Sequence, residues 1–152
     1  MIRSAITRQQ GVAMVEFAIA LPLLLLLLFG IAEFGRMLFQ YNSLLQAGRD
    51  AGRYAASEAW NATLGRVDLS TDLQARTKNV AVYGVPFANG GVSVVPGLTP
   101  SQVQVSAVGS DYVQVSIVYN FQPVIGASIP SFTGPAIPLS VALTSSVVMR
   151  AL

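Results

Sequence analysis

The sequence predicts an α+β chain: a long N-terminal transmembrane helix extending into a small domain with a short helix and a three- to four-stranded antiparallel sheet. Three observations predict it. The run from Val12 to Ala32 is 21 residues long, with only Glu16, Pro22 and Gly30 breaking its apolar pattern. As a helix it measures about 31 Å, enough to cross a bilayer core. Ala47, Ala51, Ala55 and Ala59 then recur every fourth residue with no proline from Glu33 to about Ala59, so the helix continues beyond the membrane. After Gly90-Gly91 the pattern changes to β-branched residues in alternation, the period of half-buried strands.

The elements follow in order. Residues 1–11 form a polar leader with Arg3 and Arg8 and no acidic side chain. Positive charge stays cytoplasmic, while Glu33 and Arg36 cancel on the far side, so the N-terminus is expected inside and the C-terminal domain outside. An ordinary signal peptide is cut after its apolar stretch at a small-x-small site. Ala18-Ile19-Ala20 falls too early for that, and at Gly30-Ile31-Ala32 the helical pattern runs on. Residues 12–32 are the expected transmembrane segment, 33–60 the continuation of the helix, and 61–152 an extracytoplasmic α+β domain.

Within 33–60, Ala47, Gly48, Ala51, Gly52, Ala55 and Ala56 form a small-residue stripe where another backbone can approach closely. Two uses stand open: packing against the chain's own sheet, or a seam between subunits. Glycine costs a helix up to about 1 kcal/mol against alanine, so Gly48 and Gly52 point to close packing in either case. Arg49, Asp50 and Arg53 read as a solvated, partly paired face. A second helix is expected from Ser70 to Tyr83, capped by Ser70 or Thr71 and ended by Gly84 and Pro86. Strands are expected at Val92–Val95, at Val103–Ala107, from Tyr112 to Phe121 after a turn at Gly109-Ser110-Asp111, and from Leu139 to Arg150. A Pro/Gly/Ser-rich loop occupies Gln122 to Pro138.

Composition excludes several functions. The isoelectric point of 9.3 derives from the leader; without residues 1–11 the chain has seven basic and seven acidic side chains, which leaves no electrostatic footprint for nucleic acid. Cysteine and histidine are absent and Lys78 is the only lysine, so the usual thiolates, zinc ligands, general bases and Schiff-base amines are missing. Asp68 and Asp72 share an i, i+4 spacing that fits a solvated or capping region better than an acid pair. No Ser-x-x-Lys precedes Lys78, and the Asn61-Ala62-Thr63 sequon is short enough to arise by chance. The expectation is no enzyme, no cofactor and no metal.

Gly11-Val12-Ala13-Met14-Val15-Glu16-Phe17 carries the strongest functional signal. A carboxylate inside an apolar membrane segment is costly and asks for a partner. Either Glu16 hydrates or protonates at the membrane edge, or a cut after Gly11 supplies one. Such a cut would leave a new α-amino cation on Val12, one helical turn away within a chain or facing the carboxylate between staggered chains. A simple anchor has no use for this charge, whereas an assembling helix does. Pro22 frees the carbonyl of Ala18 and can kink the span, although transmembrane helices also tolerate proline.

That seven-residue site resembles the processing site of prepilins in the tight-adherence (Tad/Flp) system. The opening through Glu33-Phe34-Gly35-Arg36, the segment Ala47-Gly48-Arg49-Asp50-Ala51-Gly52-Arg53, and the closing Val118-Tyr119-Asn120-Phe121-Gln122-Pro123 and Val148-Met149-Arg150 are similar to the TadE family. The resemblance is strongest over residues 11–53, and Trp60 to Pro100 matches nothing recognisable. It implies a pilin-like fold and a pseudopilin or minor pilin, with Gly11 and Val12 as the processing site and Glu16 and Phe17 as assembly residues. The implied partners are a prepilin peptidase, a TadF-like pseudopilin, the Flp pilin, and inner-membrane platform proteins with an assembly ATPase. The implied location is the bacterial inner membrane as a single-pass protein, or the pilus outside the cell. The competing reading is an uncleaved single-pass anchor carrying a periplasmic binding module.

Overall fold

In a computed structural model the described residues are 6–87, 91–124, 126, 128–129 and 134–152. Helix α1 runs Ile6–Glu58 and contains Pro22. The chain divides into two compact units, Met1–Arg36 and Met37–Leu152.

In the first unit the apolar side chains have nothing to pack against. From Val12 to Ile31 every large hydrophobic side chain is exposed, including the whole Leu23–Leu28 run. Burying a leucine is worth about 1.5–3 kcal/mol, so six in water forgo on the order of 10 kcal/mol, as much as a whole domain's stability. The segment is a candidate membrane span by length and composition. Near the unit's end Arg36 donates to Glu33 Oε1.

The second unit is built where α1 meets a sheet. Strands β3 (Val103–Val108), β4 (Tyr112–Asn120) and β7 (Ala142–Arg150) lie in the order β3-β4-β7, and both pairs are antiparallel. Gly109, at φ 67°, takes the left-handed turn between β3 and β4 that other residues resist. Val113, Val115, Ile117 and Tyr119 point into the core with Leu143 and Ser145, while Gln114, on the other face, donates to Ser146 Oγ at 2.9 Å. Leu44, Ala47, Ala51 and Ala55 of α1, with Ala59 just beyond its end, close over the inner face and are buried. The alanine spacing and the strand alternation thus meet in one core.

Helix α2 (Thr71–Tyr83) covers the rest. Ser70 Oγ accepts from Leu73 N at 3.2 Å, and Gly84, at φ 76°, ends the helix by donating to the Val80 carbonyl. Leu73, Thr77, Val80, Ala81 and Val82 are buried. Helix α1 itself is tied down at its end, where Leu152 N donates to the Ala56 carbonyl at 3.2 Å.

Two sequence expectations need correction. Val92–Val95 is not a strand. Val94 N donates to the Val82 carbonyl at 2.8 Å and Val95 is buried in the core while Val92 and Val94 stay exposed, so the run serves as a loop anchored at Val95. Tertiary contacts override strand propensity there. The closing strand starts at Ala142 rather than Leu139. A short ribbon that the sequence did not signal, β1 (Trp60–Asn61) with β2 (Arg66–Val67), joins the two helices. The expected Gln122–Pro138 loop holds a two-residue pairing of β5 (Ser128–Ile129) with β6 (Ile137–Pro138), and positions 125, 127 and 130–133 within it lie outside the described residues.

Candidate functional site: the N-terminal segment of α1

Gly11 lies inside α1, and a Cβ built on it would meet nothing within 4 Å. The fold therefore does not require glycine here, in contrast to Gly48. Val12, Glu16 and Phe17 follow on the same helix, all exposed. Val12 and Glu16 are four residues apart, so they sit one above the other on one helix face, about 6 Å apart along the axis. Glu16 has no ion-pair partner among the described residues. An α-amino group on Val12 would be the nearest cation to it within this segment. Pro22 stands further along, within helical backbone.

The small-residue stripe lies elsewhere and is occupied. A Cβ on Gly48 would fall 2.7 Å from Ser145 Oγ, and one on Gly52 would fall 3.4 Å from Met149 Sδ and Val147 Cγ1. Ala47, Ala51, Ala55 and Ala56 are buried in the same unit. Of the two uses the sequence left open for these residues, the intrachain one is present in the fold. Arg49, Asp50 and Arg53 are exposed, with Arg53 3.7 Å from Asp50.

A polar concavity of about 380 Å³ lies between the end of α1, β1 and the start of α2, lined by Glu58, Trp60, Asn61, Asp68, Asp72 and Arg76 among others. Its charged groups serve structure. Asp72 pairs with Arg76 at 2.5 Å, and Arg76 lies 5.1 Å over the Phe87 ring. A hydrogen bond to Tyr54 of α1, and then Asp72, hold the Arg76 guanidinium above its ordinary pKa. Arg76 thus links α1, α2 and the segment after α2, a role the sequence showed only as an i, i+4 spacing to Asp72. Asp68 accepts from Asn61 Nδ2 at 3.3 Å, so the two aspartates are drawn to different partners. Asn61 Oδ1 accepts from the backbone of Thr63 at 3.0 Å and Leu64 at 3.1 Å, which makes the sequon an Asx turn. Among the described residues no group of three metal-ligating side chains occurs.

Comparison with curated proteins and with solved structures gave no match. Over residues 11–53, the stretch that holds Gly11, Glu16, the apolar span and the small-residue stripe, the chain matches the family model of TadE-like proteins.

Proposed function

We propose that this chain is a pseudopilin or minor pilin of a tight-adherence (Flp) type IVb-like pilus system, made as a precursor and cut after Gly11 by a prepilin peptidase. One observation carries the reading. Glycine stands at position 11 with no packing reason, immediately before Val12 and five residues before a lone carboxylate in an apolar span. An outside requirement for glycine accounts for this, and a peptidase that needs a small, easily unwound residue supplies one. Glycine lowers the cost of opening a helix locally by about 1 kcal/mol.

On this reading Glu16 receives the Val12 amine, in its own chain or the next, and Phe17 packs beside it as copies assemble. The apolar helix holds the subunit in the inner membrane and then in the assembly, with the sheet domain on the periplasmic side. The chain acts as a structural subunit rather than a catalyst. Its partners are the peptidase, a TadF-like pseudopilin, the Flp pilin and the inner-membrane platform with its ATPase. The match to TadE-like proteins over residues 11–53 supports this assignment.

The test is Gly11→Leu. Since the fold leaves open space at position 11, the variant folds and inserts normally, but it accumulates at full length and piliation is lost. A Gly11→Leu chain that is processed and functional sinks the proposal.

A further inference from the structure

The sheet has two open edges, and their directions are fixed by the ladder. Phe121 N donates to the Val141 carbonyl at 2.8 Å, and Ala151 N to the Asp111 carbonyl at 2.8 Å. These two bonds flank the β4–β7 register, so the odd-numbered residues of β7 are the ones that bond to β4. The even-numbered ones, Ala142, Thr144, Ser146, Val148 and Arg150, turn their N–H and C=O groups outward. By the same alternation Val105 and Ala107 turn theirs outward from β3. Among the described residues no strand pairs with either edge. Neither edge carries the proline or lysine that proteins use to block edge pairing, and Arg150 at the end of β7 is the only charge on the two strands.

Strands β3 and β7 are both antiparallel to β4, so they run the same way. Gly48 faces Ser145 and Gly52 faces Met149, so α1 advances in the direction of β7 along one face of the sheet. Pairing β7 with another β7 would either reverse the second copy's α1 or move it to the opposite face. Setting β3 of one copy beside β7 of the next keeps every α1 on the same face and running the same way. That pairing is head-to-tail and can propagate through many copies, whereas a β7–β7 pairing closes at two.

We infer that the β7 edge of one copy takes the β3 edge of a second copy as a parallel fourth strand, so that sheets join laterally in the assembly. The inference rests on the assembly reading above.

The chain has no cysteine, which makes disulfide mapping direct. The experiment combines Ser146→Cys with Gln104→Cys, Ser106→Cys or Val108→Cys in the full chain, oxidised in native membranes. These three partners cover every register in which β3 overlaps β7 fully. Strand β4 separates the two cysteines of one chain by about 10 Å, too far for a disulfide within it. The expected result is a ladder of dimers, trimers and larger species from one of the three double variants. Ser146→Cys alone stays monomeric. Thr144→Pro removes an outward N–H while leaving the bonds to β4 in place, and abolishes the ladder; Thr144→Ala keeps it. Absence of a ladder from all three pairs, a dimer from Ser146→Cys alone, or a ladder that survives Thr144→Pro overturns the inference. Sequencing the N-terminus of the same samples separates the two failures. A chain that begins at Val12 without a ladder refutes the edge pairing alone, whereas one that begins at Met1 without a ladder refutes the assembly reading with it.

Discussion

Replacing Gly48 by alanine sets two effects of known size against each other at one place. Alanine favours the helix by up to about 1 kcal/mol over glycine. The new methyl would lie 2.7 Å from Ser145 Oγ, 3.6 Å from Val147 Cγ2 and 3.7 Å from Ser145 Cβ. Real contacts of this kind are not made at 2.7 Å, so the seam must open or Ser145 must turn. Ser145 is 1% exposed, leaving little room to turn, and overpacking a close seam costs about 1–3 kcal/mol. The cost exceeds the gain, and Gly48→Ala is predicted to destabilise the second unit by about 1 kcal/mol. Ser145 Oγ is buried with no hydrogen-bond partner among the described residues, and such a group costs about 1–3 kcal/mol. Ser145→Ala is therefore predicted to stabilise, and the double variant Gly48→Ala/Ser145→Ala to recover most of the loss. The assay is urea or thermal unfolding of the full chain in detergent, followed by circular dichroism and Trp60 fluorescence, where 1 kcal/mol moves the midpoint by about 4 °C. A Gly48→Ala chain as stable as the parent, with no coupling to Ser145, refutes the close-packed seam.

Glu16→Ala leaves cleavage after Gly11 intact and lowers the yield of assembled fibres, read by N-terminal sequencing beside electron microscopy; full assembly would contradict the charge-register argument. Ser70→Ala removes the α2 cap and costs about 1 kcal/mol in the same unfolding assay, while Ser70→Asp keeps most of the stability. No loss with Ser70→Ala would mean that the bond to Leu73 contributes nothing.

Much of the fold was legible because its signals are strong and local. The apolar run, the four-residue alanine repeat, the Gly84 stop and the alternation from Val113 to Tyr119 each point to one kind of element, a helix, a helix end or a strand. Val92–Val95 was misread because a β-branched run looks alike whether it pairs with a strand or packs as a loop. Trp60–Asn61 with Arg66–Val67 was missed because two-residue strands have no period to detect. The function of the stripe could not be read from spacing alone, since small residues serve a sheet or a neighbouring subunit equally well. The distances at Gly48 and Gly52 supply what spacing cannot. At the candidate site the placement of Gly11, Val12, Glu16 and Phe17 was legible in the sequence, because they lie within seven residues of one helix and draw on no distant contact. Arg76 is the opposite case, since Tyr54 and Phe87 come to it only through the fold.

The most direct test of the account is the intact mass and N-terminal sequence of the protein from native membranes. The account predicts a mature chain that begins Val12-Ala13-Met14. A chain that still begins at Met1 would contradict it and leave a permanent membrane anchor as the better description.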